Sequence, residues 1–198
     1  MFTGIVQAVG RIARIEPLQQ GSRLDVEAGG LDLADVAAGD SICVSGVCLT
    51  VVALTPAGFS ADVSRETLNC TVGLSAPGRV NLEKALRLAD RLGGHLLTGH
   101  VDGVGDVVAL EPAGESVTLR VRVPRELARY IARKGSVGVD GVSLTVNRVD
   151  GGQFDVNLIP HTLAVTTFAR LSAGAPVNIE VDLIARYVER MLGEAGEA

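Results

Sequence analysis

The chain has 198 residues, 47% hydrophobic and 21% charged, enough apolar material for one large core or two small ones, which excludes intrinsic disorder. Its 18 basic residues are outnumbered by 23 acidic ones and form no tract, and aromatic residues reach only 3%. A nucleic-acid partner, which calls for clustered cations and stacking rings, is disfavoured.

Taken in chain order, short alternating runs bounded by Gly, Asp and Pro predict strands at 5–15, 23–27, 41–44, 48–54, 59–63 and 79–83. Their counterparts begin at His100, Val117, Ser136, Ser143, Phe154 and Pro176. Short helical stretches are expected at 31–37 and 124–133, and a linker helix at 86–92 stops at Gly93-Gly94. The tail carries Leu183, Ile184, Tyr187, Val188, Met191 and Leu192 at helical spacing. Nothing approaches the roughly 20 apolar residues of a membrane helix, and no basic segment leads into an apolar run as in a signal peptide. Cys43, Cys48 and Cys70 have no metal-ligand spacing, so reduced thiols in a cytoplasmic, metal-free protein are expected. His95 and His100, five apart, make a poor metal pair.

Sliding the sequence against itself by 95 residues exposes a duplication. MFTGIVQAVG at 1–10 falls on LLTGHVDGVG at 96–105. DSICVSGVCLTV at 40–51 falls on GSVGVDGVSLTV at 135–146, with seven of twelve positions identical. FSADVSRETL matches FDVNLIPHTL, and after a two-residue slip GRVNLE matches APVNIE. Six short strands per copy cannot leave long open edges, so closure into two small barrels is expected. The domains read as 1–95, 96–182 and a C-terminal helix over 183–198.

The MFTGIV start, GVCLT, GGHLLTGHVD, KGSVGVDGVSLTV and IPHTL, in this order over nearly the whole chain, resemble the riboflavin synthases of the alpha-subunit type. That resemblance implies an all-β fold of two six-stranded Greek-key barrels with a C-terminal helix, and three chains joined mainly through those helices. It implies that each barrel binds one 6,7-dimethyl-8-ribityllumazine. Two are dismutated by four-carbon transfer to riboflavin and 5-amino-6-ribitylaminouracil, without cofactor or metal, where the first barrel of one subunit faces the second of a neighbour. Association with a lumazine synthase is left open.

Carried onto this chain, the first-barrel pocket takes Gly4, Ile5, Val6, Cys48, Leu49, Thr50, Asp62, Val63, Ser64, Arg65, Glu66 and Thr67. The second takes Gly99, His100, Val101, Lys134, Ser143, Leu144, Thr145, Asn157, Leu158, Ile159, Pro160, His161 and Thr162. Apart from Lys134, each set maps onto the other at the repeat offset. Small residues admit a flat ring, and hydroxyl and carboxylate groups suit a ribityl chain. The copies differ where chemistry can enter: Ile5 is replaced by His100, Cys48 by Ser143, Ser45 by Asp140 and Glu66 by His161. The resemblance makes Cys48, His100, Asp140, Ser143 and Thr145 the candidates at the reacting centre, with Phe2 shaping the site. Ser45 stands where the family commonly has Asn. The alternative is a non-catalytic lumazine-binding antenna.

Overall fold

β-branched residues at alternating positions favour short, half-buried strands, and two sets of six such strands close on themselves. In the computed structural model, which describes residues 1–194, the first barrel contains β1 (Ala8–Leu18), β2 (Gly21–Glu27), β3 (Ser41–Val44), β4 (Val47–Thr55), β5 (Gly58–Ser64) and β6 (Gly78–Lys84). The second contains β7 (Gly103–Ala113), β8 (Ser116–Arg122), β9 (Ser136–Val139), β10 (Val142–Asp150), β11 (Gln153–Leu158) and β12 (Pro176–Val181). Both are closed, antiparallel and Greek-key, in the order β1-β2-β5-β4-β3-β6 and its equivalent. Bulges fall at Ile12/Arg14 and Val51/Ala53, and again at Val107/Ala109 and Val146/Arg148. The duplication therefore extends to local irregularities that sharpen the strand bend.

Each barrel has its own core, around Ile12, Leu24, Ile42, Phe59 and Leu82 in the first and Leu119, Val137, Phe154, Leu158 and Ile179 in the second. Among the described residues four α-helices decorate the strands, α1 (Arg65–Cys70), α2 (Arg125–Ala128), α3 (Pro160–Val165) and α4 (Leu183–Glu194), with a 3-10 turn at Thr167–Arg170. The expected helix at 124–133 shortens to α2. Those at 31–37 and 86–92 do not form. At 31–37 the Asp32 and Asp40 carboxylates accept the amides of Ala34 and Ala37, and at 86–92 Asp90 accepts that of Arg87. Such local side-chain acceptors compete with helical bonding, and one-turn helices have little cooperativity to resist them.

The barrels meet across a reciprocal seam. Phe2, fully buried, pairs with Leu97 in an antiparallel bridge. The tight hairpins Ser45-Gly46 and Asp140-Gly141, all four residues at positive φ, lie against each other. Asn81 of β6 donates to the Asp140 carbonyl and accepts the Thr167 amide, while Asn178 of β12 donates to the carbonyls of Ser45 and Val72 and accepts the Val72 amide.

α4 is fastened by its polar side. Arg186 pairs with Asp102 at 2.8 Å and donates to the His100 carbonyl; Glu189 accepts the Tyr130 hydroxyl and pairs with Arg129. Its apolar stripe faces outward, with Ile184, Tyr187, Met191 and Leu192 66–72% exposed. Residues 195–198 of the expected tail lie outside the described residues. Among the described residues no helix is long and apolar enough to cross a membrane, and no acidic, His or Cys cluster could hold a metal. The three cysteines are free.

Candidate functional site

The Thr-Gly pair repeated at 3–4 and 98–99 begins each site. A buried carboxylate holds each pair. Glu83 accepts the amides of Thr3 and Gly4 and the Thr3 hydroxyl, at 2.6–2.9 Å. Glu180 accepts the same three donors from Thr98 and Gly99, at 2.6–3.0 Å. Burial raises both carboxyl pKa values, and the hydrogen bonds pull against that rise. Both glycines sit at positive φ, which the absence of a Cβ permits.

Held this way, each leading segment crosses to the other copy's barrel. The Gly4 carbonyl accepts the Ser143 amide, and the Gly99 carbonyl accepts the Cys48 amide, both at 2.8 Å. A Cβ on Gly4 would come within 2.5 Å of the Ser143 Cβ, and one on Gly99 within 2.6 Å of the Cys48 Cβ. Val6 packs against the second core and Val101 against the first. The expected grouping is corrected accordingly. Gly4, Ile5 and Val6 complete the site of Ser143, Leu144, Thr145 and 157–162, while Gly99, His100 and Val101 complete that of Cys48, Leu49, Thr50 and 62–67. The physical reason is the pair of glutamates, whose bonds span about eighty residues and leave no local trace.

Several expected site residues serve other ends. Leu49, Val63, Leu144 and Leu158 are core residues, able to offer a ligand only backbone. Phe2 is a seam residue and acts on a site only through packing. Asp140, expected at the reacting centre, belongs to the seam: its carboxylate accepts the Asn178 amide at 2.8 Å, as the Ser45 hydroxyl accepts that of Asn81 at 3.1 Å. Burial pushes the Asp140 carboxyl up to about 7. Ser64 caps α1 by accepting the Thr67 amide, Pro160 starts α3, and Asp62 is paired with Arg23.

The polar groups facing outward, Asp62 and Ser64 among them despite their bonds within the chain, suit a polyhydroxylated ligand. Thr50, Asp62, Ser64, Arg65 and Glu66 are exposed at one site, and Thr145, Asn157, Ile159, Pro160 and His161 at the other, with Thr67 and Thr162 half-buried. Lys134, at positive φ where the first copy has Gly39, extends an exposed side chain with no hydrogen-bond partner among the described residues. An adjoining cleft of about 510 Å³, lined in part by Thr3, Ile5 and Glu83, contains neither Cys48 nor Ser143, and its Lys84, Asp35, Arg87 and Asp90 are paired with one another. Both sites are thus open on the single chain.

Sequence reasoning missed two features. Glu83 and Glu180 read only as strand ends, although the matched VNLE and VNIE segments marked them as equivalent. His95, set aside as a metal ligand, lies within 2.6 Å of the Ser143 hydroxyl through Nδ1.

Comparison with known proteins agrees with this architecture. The lumazine binding domain family matches twice, at residues 3–85 and 98–182. A riboflavin synthase of Mycobacterium bovis is 48% identical over 202 residues, covering 99% of this chain and 100% of that one. One of Photobacterium phosphoreum is 47% identical over 97% of this chain and 89% of its own length, and one of Bacillus subtilis is 38% identical over 100% and 92%. Among solved structures, LumP complexed with riboflavin superposes with a TM-score of 0.82 at 28% identity, over 91% of this chain and 99% of that one. LumP complexed with 6,7-dimethyl-8-(1'-D-ribityl) lumazine gives 0.81 at 26%. The much higher identity to the synthases, over nearly full length, disfavours the antenna reading. With two lumazine-binding domains and these relatives, the chain belongs to the riboflavin synthase family.

Proposed function

We propose that each of the two exchanged sites binds one 6,7-dimethyl-8-ribityllumazine and that a four-carbon unit passes between the two molecules, giving riboflavin and 5-amino-6-ribitylaminouracil. One observation carries this: two equivalent, open sites differ in the group at the same strand position, Cys48 in one and Ser143 in the other, each clamped by a glycine carbonyl. Donor and acceptor of one substrate need such a pair. Alignment of two bound reactants supplies effective molarities on the order of 10⁵–10⁸ M, against about 10²–10⁴-fold for one positioned acid or base. The scaffold therefore contributes more than any single side chain. Lys134 and the outward hydroxyls hold the ribityl chains, and His100 and Thr145 flank the ring.

The site becomes complete only when two chains meet. The exposed stripe of α4 supports a homotrimer, because a contiguous apolar helix face on an otherwise fastened helix is a surface for burial against copies of itself. The protein acts in the reducing cytoplasm, consistent with its free thiols. Incubation with 6,7-dimethyl-8-ribityllumazine alone, without added metal or cofactor, should consume two molecules for each riboflavin formed. Tight binding without turnover would overturn the reading in favour of a lumazine carrier.

A further inference from the structure

The hairpin that joins β3 to β4 brings two thiols together. Ser45 and Gly46, both at positive φ, form its two-residue turn, with Val44 opposite Val47 and Cys43 opposite Cys48. In such a hairpin the pair flanking the turn exchanges backbone hydrogen bonds and the next pair does not. The Cys48 amide accordingly donates outside the hairpin, to the Gly99 carbonyl at 2.8 Å. Facing residues of a non-hydrogen-bonded pair lie about 4.5 Å apart at Cα, within the roughly 4.4–6.8 Å that a disulfide spans. Ile42, Val44, Val47 and Leu49 belong to the barrel core, so Cys43 and Cys48 share the outer face, where both pack with Phe2 and Leu97.

The two thiols differ in access. Cys43 is 3% exposed, and burial, followed by the Glu83 carboxylate, raises its pKa and keeps it a thiol. Cys48 is half-buried, in a site open to ligand. The second copy has no such pair: opposite Ser143 stands Gly138, where a Cβ would come within 2.9 Å of Leu97.

We infer that Cys43 and Cys48 form a reversible oxidation site, at which a peroxide links the two as a disulfide and closes the first-barrel site. Hydrogen peroxide first oxidises Cys48. The O–O bond breaks, one oxygen stays on sulfur as the sulfenic acid, and the other leaves as water. Cys43 then attacks that sulfur: the S–S bond forms, the S–O bond breaks, and the Cys43 proton leaves with the hydroxyl as a second water. The two thiols have given two electrons to one peroxide. The bond draws the Cys48 sulfur away from the ligand, toward Phe2 and Leu97, and spares it from the irreversible sulfinic state. The effect on turnover rests on the lumazine reading above; the bond itself does not.

The test treats the full chain with hydrogen peroxide, blocks remaining thiols with iodoacetamide, and follows mass and riboflavin formation. Before blocking, the chain should lose about 2 Da, leave Cys70 as the one thiol to alkylate, and carry the link inside the tryptic peptide between Arg23 and Arg65. Riboflavin formation should fall about tenfold or more and return with dithiothreitol. Added 6,7-dimethyl-8-ribityllumazine should slow both changes by covering Cys48. Cys43→Ala, a step toward the glycine of the second copy, should keep basal turnover but form no disulfide. Its Cys48 should pass on to sulfinic acid, so that dithiothreitol no longer restores activity. Oxidation of Cys48 in the wild type without a link to Cys43, or a link that leaves riboflavin formation unchanged, would overturn the inference. Reduced wild type that forms no riboflavin would remove the synthase reading alone, because mass still reads the bond and lumazine titration reads the closure.

Discussion

At the scale of single residues, most of the site's geometry rests on two carboxylates. Glu83 and Glu180 each gather three donors from a leading segment whose glycine then clamps the other copy's barrel. Replacing either by Gln removes the second oxygen and turns an NH2 toward donors, at a cost of about 1–3 kcal/mol for each group left unpaired. The effect should be crossed. In Glu83→Gln the Ser143 amide should lose hydrogen-exchange protection, and in Glu180→Gln the Cys48 amide should. Loss at the same-numbered barrel instead would contradict the exchange of segments. Asp140 should contribute to the pH dependence of stability. Its folded pKa is raised to about 7 by burial, whereas an unfolded Asp ionises near 4. Between those values the native state holds the extra proton, so stability is fully present below pH 4 and falls as pH rises to about 7, by on the order of 2–4 kcal/mol. The raised pKa values of Glu83 and Glu180 add a slope of the same sign. Asp140→Asn keeps the acceptor for Asn178 and should flatten most of this decline in urea unfolding. A variant whose stability tracks wild type from pH 5 to 8 would show that Asp140 is not its source.

At the scale of elements, the strands were legible because alternation and Gly-rich turns repeat at one offset, and the two copies vouch for each other. What stayed hidden was set by contacts distant in sequence or by very local competition. The six-residue α1 and α3 follow Ser64 and Ile159, beyond the end of the strand expected at 59–63 and after its counterpart, where no helix was expected; the Ser64 cap and Pro160 are the local signals for them. The exchange of Gly4 and Gly99 was invisible because the repeat aligns both segments equally well with either barrel. Lys134 departs from the first copy at a backbone position that favours glycine. Its left-handed backbone, occupied by Gly39 in the first copy, is unfavourable for a residue with a Cβ by about 1–2 kcal/mol. Lys134→Gly should therefore raise the melting temperature while weakening lumazine binding, and calorimetry together with ligand titration reads both. Stabilisation with unchanged affinity would remove Lys134 from the ligand.

At the scale of the whole molecule, α4 is fastened by Arg186 and Glu189 while Ile184, Tyr187, Met191 and Leu192 face solvent, the face that the proposed homotrimer would cover. Ile184→Asp with Met191→Glu should leave the barrels folded by circular dichroism, shift the mass from about three times 20.5 kDa to one, and abolish turnover. A fully active monomer would contradict assembly through α4. The claim that joins all scales is that the Cys48 site of one chain works with the Ser143 site of another, and mixing tests it most directly. Thr50 and Thr145 are exposed at equivalent strand positions, so Thr50→Arg should block one site and Thr145→Arg the other, leaving each protein inactive alone. After the two are coassembled, random pairing at a head-to-tail interface should restore about a quarter of wild-type riboflavin formation. A coassembled mixture as inactive as its parents would show that the two sites do not act across chains.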